Sequence, residues 1–120
     1  MKICDNIIIS DSITVSTDGN VLVDIPQRTF TNCEKIQLVI AQNIPDTATI
    51  NAEVFITIGG VTTTTYPLLA CNGTPLTASM IKPRNKYYFS VFINGESGIF
   101  KSNTFICGQN MNSTSIIPIA

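Results

Sequence analysis

Alternation with a period of two is the feature that most constrains this chain. In Asn51-Ala52-Glu53-Val54-Phe55-Ile56-Thr57-Ile58, Ala52, Val54, Ile56 and Ile58 fall on one face of an extended backbone, and Asn51, Glu53, Phe55 and Thr57 fall on the other. Side chains of a strand point alternately to its two faces, so this pattern describes a β-strand with one buried side. Ile36, Leu38 and Ile40 repeat it within 36–42, and Tyr87, Phe89, Val91 and Ile93 repeat it within 87–93. No stretch long enough for a helix of roughly 12 residues carries the helical period.

Turn chemistry divides the strands where the alternation stops. Asp18-Gly19-Asn20 separates 12–17 from 21–25, Gly59-Gly60 separates 52–58 from 61–66, and Asn94-Gly95 separates 87–93 from 98–105. Asn-Gly and Gly-Gly supply the positive φ angles that tight hairpins require. Three hairpins plus the strand at 36–42 give about seven antiparallel strands, so the expected fold is an all-β, single-domain β-sandwich or small barrel. Pro26, Pro45, Pro67, Pro75 and Pro83 are expected at strand ends or edges, because proline cannot donate to a ladder. Residues 67–86 hold three of these prolines and Asn72-Gly73, and read as a long loop crossing between sheets. The 120 residues suit one domain. Segments at about 1–10 and 108–120 are expected to be flexible or to order on a partner.

Charge is scarce. Only 12% of residues are charged and the net charge is −1. Low charge fits both a neutral polar β-surface and a surface covered by a partner, since interface centres are depleted in charge. Residues 1–60 hold seven acids and three bases, whereas residues 61–120 hold one acid and four bases. Neither half is basic enough for a nucleic-acid footprint. The N-terminal apolar run is interrupted by Asp5 and Asn6, which argues against a secretory signal, and no run approaches the roughly 20 apolar residues of a membrane span. No nucleic-acid or membrane partner is expected. Cys4, Cys33, Cys71 and Cys107 are spaced by 29, 38 and 36 residues with no CxxC pair, and are expected to be free thiols, mostly buried.

The chain has no histidine, which removes the commonest general base and metal ligand. No phosphate-cradling loop is present, because Gly59-Gly60 joins two strands. No catalytic, cofactor-binding or metal-binding residue is assigned, no cofactor is expected, and the chain is not expected to be an enzyme. Asn72-Gly73-Thr74 and Asn112-Ser113-Thr114 match the glycosylation pattern, which is short and common by chance. Two features point to partner contact. Lys82, Arg84 and Lys86 cluster just before Tyr87 and Tyr88, and suit an acidic partner surface. The run Thr62-Thr63-Thr64-Thr65 is polar on both faces, as an edge strand or a subunit contact would be. Lys82, Arg84, Lys86, Tyr88, Thr63 and Thr65 are therefore the candidate contact residues, and an open threonine edge makes homo-oligomer formation one expectation.

The block from Ile44-Pro45-Asp46-Thr47 through Val54-Phe55-Ile56-Thr57-Ile58-Gly59-Gly60 to Tyr66-Pro67-Leu68 resembles a family of small β-rich proteins. These are encoded among the virion structural genes of tailed bacteriophages and of prophages of Gram-positive bacteria. The likeness extends over residues 20–94 and takes in Asp24-Ile25-Pro26, Cys71 and the 82–88 cluster. It implies synthesis in the host bacterial cytoplasm, residence in the virion, and the major capsid protein or other virion proteins as partners. The role it implies first is a capsid (head) decoration protein that binds the outer capsid lattice and stabilises it. The alternative is a tail-associated or surface binding module that recognises a carbohydrate or a receptor.

Overall fold

The computed structural model describes residues 7–94 and 97–102. Among the described residues eight strands form the fold: β1 (Ile7–Ile9), β2 (Ser12–Val15), β3 (Val21–Ile25), β4 (Glu34–Val39), β5 (Val54–Ile58), β6 (Val61–Leu69), β7 (Lys86–Asn94) and β8 (Ser97–Ser102). One turn of 3-10 helix at Ala78–Met80 precedes β7. The strands make one curled mixed sheet, a half-barrel in the order β1-β4-β7-β8-β6-β5-β3-β2.

The all-β, single-domain expectation holds, with two refinements. The described residues form eight strands, and β1 with β4, β3 with β5, and β6 with β8 pair in parallel. Turn residues announce only the hairpins, which are antiparallel. The parallel pairs join strands distant in sequence, about which local turn chemistry is silent.

The inward residues of both halves of the sheet meet in one core. Val21, Val23, Ile25, Val54 and Ile56 come from β3 and β5; Ile36, Leu38, Phe89, Val91 and Phe100 come from β4, β7 and β8. All the positions that the alternation assigns inward at 36–40 are buried, as are Ala52, Val54 and Ile56, while Ile58 is half-buried. Burying such side chains contributes roughly 1.5–3 kcal/mol each, the main force holding the sheet curled.

The two edges of the sheet are consecutive in the chain. β1 lies at one end of the strand order and β2 at the other, yet only Ser10 and Asp11 separate them. Ser10 N donates to Val39 O (3.0 Å), continuing the β1/β4 ladder, and Asp11 N donates to Asp24 O (2.7 Å), extending the β2/β3 ladder. Ser10 is only 2% exposed. Its Oγ donates to Gln42 Oε1 (2.5 Å) and accepts from Ala41 N (2.9 Å), while Gln42 Nε2 donates to Ser10 O (2.9 Å). This clamp pins Ser10 to the segment that follows β4, while the Asp11–Asp24 bond ties the next residue to β3, so the chain itself joins the two far edges of the sheet. Of the segment 1–10, Ile7–Ile9 are therefore a strand with a buried Ile8; residues 1–6 and 108–120 lie outside the described residues.

The 67–86 segment is more ordered than the sequence suggests. Pro67 lies inside β6 opposite Phe55, and Leu68 and Leu69 then pair with β8. Proline is tolerated there because β6 changes partner at that point. The chain turns at 70–74, where Ala70 N donates to Thr74 O (2.8 Å) and Gly73 takes φ +92. It returns with Leu76 N donating to Leu68 O and Ala78 N to Ala52 O, so Leu68, Ala70, Leu76, Ala78 and Ile81 all enter the core.

The thiol expectation is corrected in part. Cys71 is disulfide-bonded, with a partner outside the described residues. Cys33 is free but exposed, at the positive φ of 69 that begins β4. The asparagine-glycine turn expected at Asn94-Gly95 falls largely outside the described residues, but Asn94 pairs with Ser97, so β7 and β8 form the expected hairpin.

Candidate partner-binding face

The basic cluster sits on a turn that the fold fixes in place. Arg84 N donates to Ile40 O (2.5 Å), Ile40 N donates to Asn85 O (3.1 Å), and Lys82 N donates to Tyr87 Oη (2.8 Å). Arg84 adopts φ 63, in the left-handed region. An L-residue pays roughly 1–2 kcal/mol there, and glycine would not. A strained, exposed arginine thus holds its charge at the tip of this turn.

Beyond the turn the chain enters β7, and register carries the cluster onto the outer face of the sheet. Lys86 stands opposite Val39, which stands opposite Ile9; Tyr88 stands opposite Gln37, which stands opposite Ile7. One row further, Lys35, Ser90 and Lys101 align, followed by Phe92 beside Ile99. Ile9 is 55% exposed, Tyr88 42%, Ile7 39% and Phe92 37%. Lys35, Lys86 and Lys101 flank this apolar stripe, and none of the described side chains on that face is acidic.

Of the six candidate contact residues, Lys82, Arg84, Lys86 and Tyr88 belong to this one surface, and all are exposed. Thr63 and Thr65 are exposed too, but they lie on the other half of the sheet and line a groove with Leu22 and Phe55. The two features singled out in the sequence lie on two separate surfaces, and Ile7 and Ile9 join the basic one. Their signal was the isoleucine run at 7–9, whose pairing with β4 cannot be read locally.

The threonine run is not a regular edge strand. Between the Ile56–Tyr66 and Ile58–Val61 pairs, β5 contributes Thr57 alone while β6 contributes residues 62–65. The run therefore bulges out of the hairpin. It keeps an edge-like character, since β6 pairs with β8 only from Leu68 onward.

Comparison with known protein families, curated proteins and solved structures finds no match to this chain. The site must be read from its own geometry.

Several polar groups are already committed to the fold. Asp24 Oδ1 accepts from Thr57 Oγ1 and Gly60 N, both at 2.8 Å, and so anchors the Gly59-Gly60 turn. Glu34 pairs with Arg28 at 2.6 Å and accepts from Thr31 N, and Arg28 also lies 4.5 Å from the Phe30 ring centroid. Phe30 in turn packs edge-on against Phe100, closing that side of the core. Among the described residues no group of three or more Asp, Glu or Cys side chains could hold a metal ion, and no helix is long and apolar enough to cross a membrane. Apart from Glu34, which is paired with Arg28, charge is divided across the strands: Asp18, Asp24 and Glu53 stand on or beside β2, β3 and β5, opposite in the strand order to Lys35, Lys86 and Lys101.

Proposed function

We propose that the protein is a structural protein of the virion of a tailed bacteriophage, a head decoration protein that attaches to the outer capsid lattice. The outer face of β1, β4, β7 and β8 is the attachment surface, and the turn at 82–86 is its basic border. The observation that carries this reading is the exposed stripe of Ile7, Ile9, Tyr88 and Phe92, bordered by lysines with no acidic side chain among the described residues of the face. Apolar centres with charged borders are the usual anatomy of protein–protein contacts. A face of this sign selects an acidic partner, and the major capsid protein is the partner proposed.

The mechanism is burial of surface with no covalent chemistry. A stable contact needs about 800 Å² from each partner, so the turn at 82–86 would share in it with the four strands. The isoleucines and Tyr88 provide the apolar area, and Lys82, Arg84, Lys86 and Lys101 provide register and rate of encounter. Many copies on a lattice add their interfaces and resist its rupture. Arg84 supports the reading because its left-handed backbone carries a cost that glycine would avoid, while its side chain stands exposed beside the face. The disulfide at Cys71 suits a particle that leaves the reducing cytoplasm where the chain is made.

Quantitative mass spectrometry of purified particles tests this. Copies in proportion to the major capsid protein are expected. A handful per particle would move the chain to the tail, and complete absence would refute the virion reading.

A further inference from the structure

The groove beside the threonine bulge has a chemistry of its own. It lies over the outer side of β3 and β5 at the end of β2, is open to solvent with a volume of about 550 Å³, and is walled by the turn at 16–20 and by Thr62, Thr63 and Thr65. Leu22 and Phe55 form its floor, directly opposite each other in the β3/β5 register and both half-buried. An aromatic on the outer side of a strand otherwise polar on that side is out of place in a simple amphipathic sheet. Here it becomes the base of a concavity, because the bulge at 62–65 raises a wall above it.

We infer that this groove binds a neutral saccharide. A sugar ring offers an apolar C–H face and a rim of hydroxyls, and the groove mirrors both. Leu22 and Phe55 meet the C–H face, and hydroxyl, amide and carboxylate groups surround them. The side chains of Asp18, Asn20, Thr62, Thr63 and Thr65 make no hydrogen bond to another described residue, so their donors and acceptors are available to a ligand. The turn that carries Asp18 and Asn20 is held by Ser16 N donating to Asn20 O (2.8 Å), Gly19 N to Ser16 O (2.9 Å) and Asn20 N to Ser16 Oγ (3.2 Å). That wall is therefore set before a ligand arrives, which spares ordering entropy. No lysine or arginine lines the groove and one carboxylate does, so anionic sugars are disfavoured. The volume lies in the range of small-molecule sites, roughly 300–1,000 Å³. This inference concerns a different surface from the attachment face and does not depend on it.

Amide chemical-shift perturbation on the full chain tests it, with glucose, galactose, mannose, N-acetylglucosamine and their disaccharides as probes and sialic acid as the anionic control. The expected result is saturable shifts with at least one neutral sugar, confined to residues 16–22, Phe55 and 62–65. Asp18→Asn and the double variant Thr63→Val/Thr65→Val should each weaken that sugar roughly tenfold while leaving the thermal midpoint in place. Sialic acid should bind more weakly than the neutral probe. No saturable shift with any neutral probe, shifts centred on β1 and β7, or stronger binding of sialic acid would each overturn the inference.

Discussion

Substituting Ser10 by alanine tests the clamp that pins the crossing between the two edge strands to the segment after β4. The side chain is almost wholly buried, and it is the residue at which the chain leaves one edge strand for the other. Removing Oγ deletes the bond to Gln42 Oε1 and the bond from Ala41 N, but leaves Gln42 Nε2 donating to the Ser10 carbonyl. At roughly 0.5–1.5 kcal/mol for each lost bond, the substitution should cost about 1–3 kcal/mol. The lower half of that range applies if water reaches the exposed Ala41 amide. For a domain of this length the unfolding entropy is about 0.25 kcal/mol/K, so the thermal midpoint should fall by roughly 4–12 °C. Circular dichroism melts of Ser10→Ala, Gln42→Ala and the double variant measure this, and the cycle should show a coupling of at least about 0.5 kcal/mol. Ser12→Ala, two residues away and exposed, should stay within about 0.5 kcal/mol of the parent. A Ser10→Ala protein as stable as the parent, with no coupling to Gln42, would refute the clamp.

Other substitutions probe other parts of the frame. Asp24→Ala removes the acceptor of both Thr57 Oγ1 and Gly60 N, and should cost about 1.5–3 kcal/mol in urea unfolding. Gly98→Ala should destabilise by about 1–3 kcal/mol in the same assay, because a Cβ there would lie 2.6 Å from Phe92 O and 2.7 Å from Ile93 Cδ1. Alkylation followed by peptide mass spectrometry should label Cys33 in the native protein and Cys71 only after reduction. Labelling of Cys71 without reductant would contradict the disulfide.

The sequence carries the strands well and their arrangement poorly. Alternation at 36–40, 52–58 and 87–93 identifies the buried faces, because a residue's side of a strand is a local property. The Gly19 and Gly59-Gly60 turns are legible for the same reason, each glycine taking a positive φ. The parallel pairs, the meeting of β1 with β4 and the path of 67–86 through the core depend on contacts between distant segments. Proline misleads in that stretch: Pro67 marks a change of partner within β6 where the expectation is a strand end. The contact residues show the same division. Lys82, Arg84, Lys86 and Tyr88 are adjacent in sequence and share a surface, whereas Thr63 and Thr65 lie apart from them because the bulge turns them toward Leu22 and Phe55. Ile7 and Ile9 reach the basic cluster only through the register of β1 on β4 and of β4 on β7. Phe55 is legible as an outward aromatic, but the wall that makes a groove of it is an irregularity no alternation pattern reveals.

Co-sedimentation with phage particles lacking the protein probes the attachment face itself. Purified parent chain and the charge-reversed variant Arg84→Glu/Lys86→Glu would be compared at several salt concentrations, with Asp18→Asn as a control on the opposite half of the sheet. The account predicts saturable binding of the parent that weakens with salt, loss of at least roughly tenfold in affinity for the charge-reversed variant, and an unchanged control. Equal binding of parent and charge-reversed variant, both folded, would contradict it.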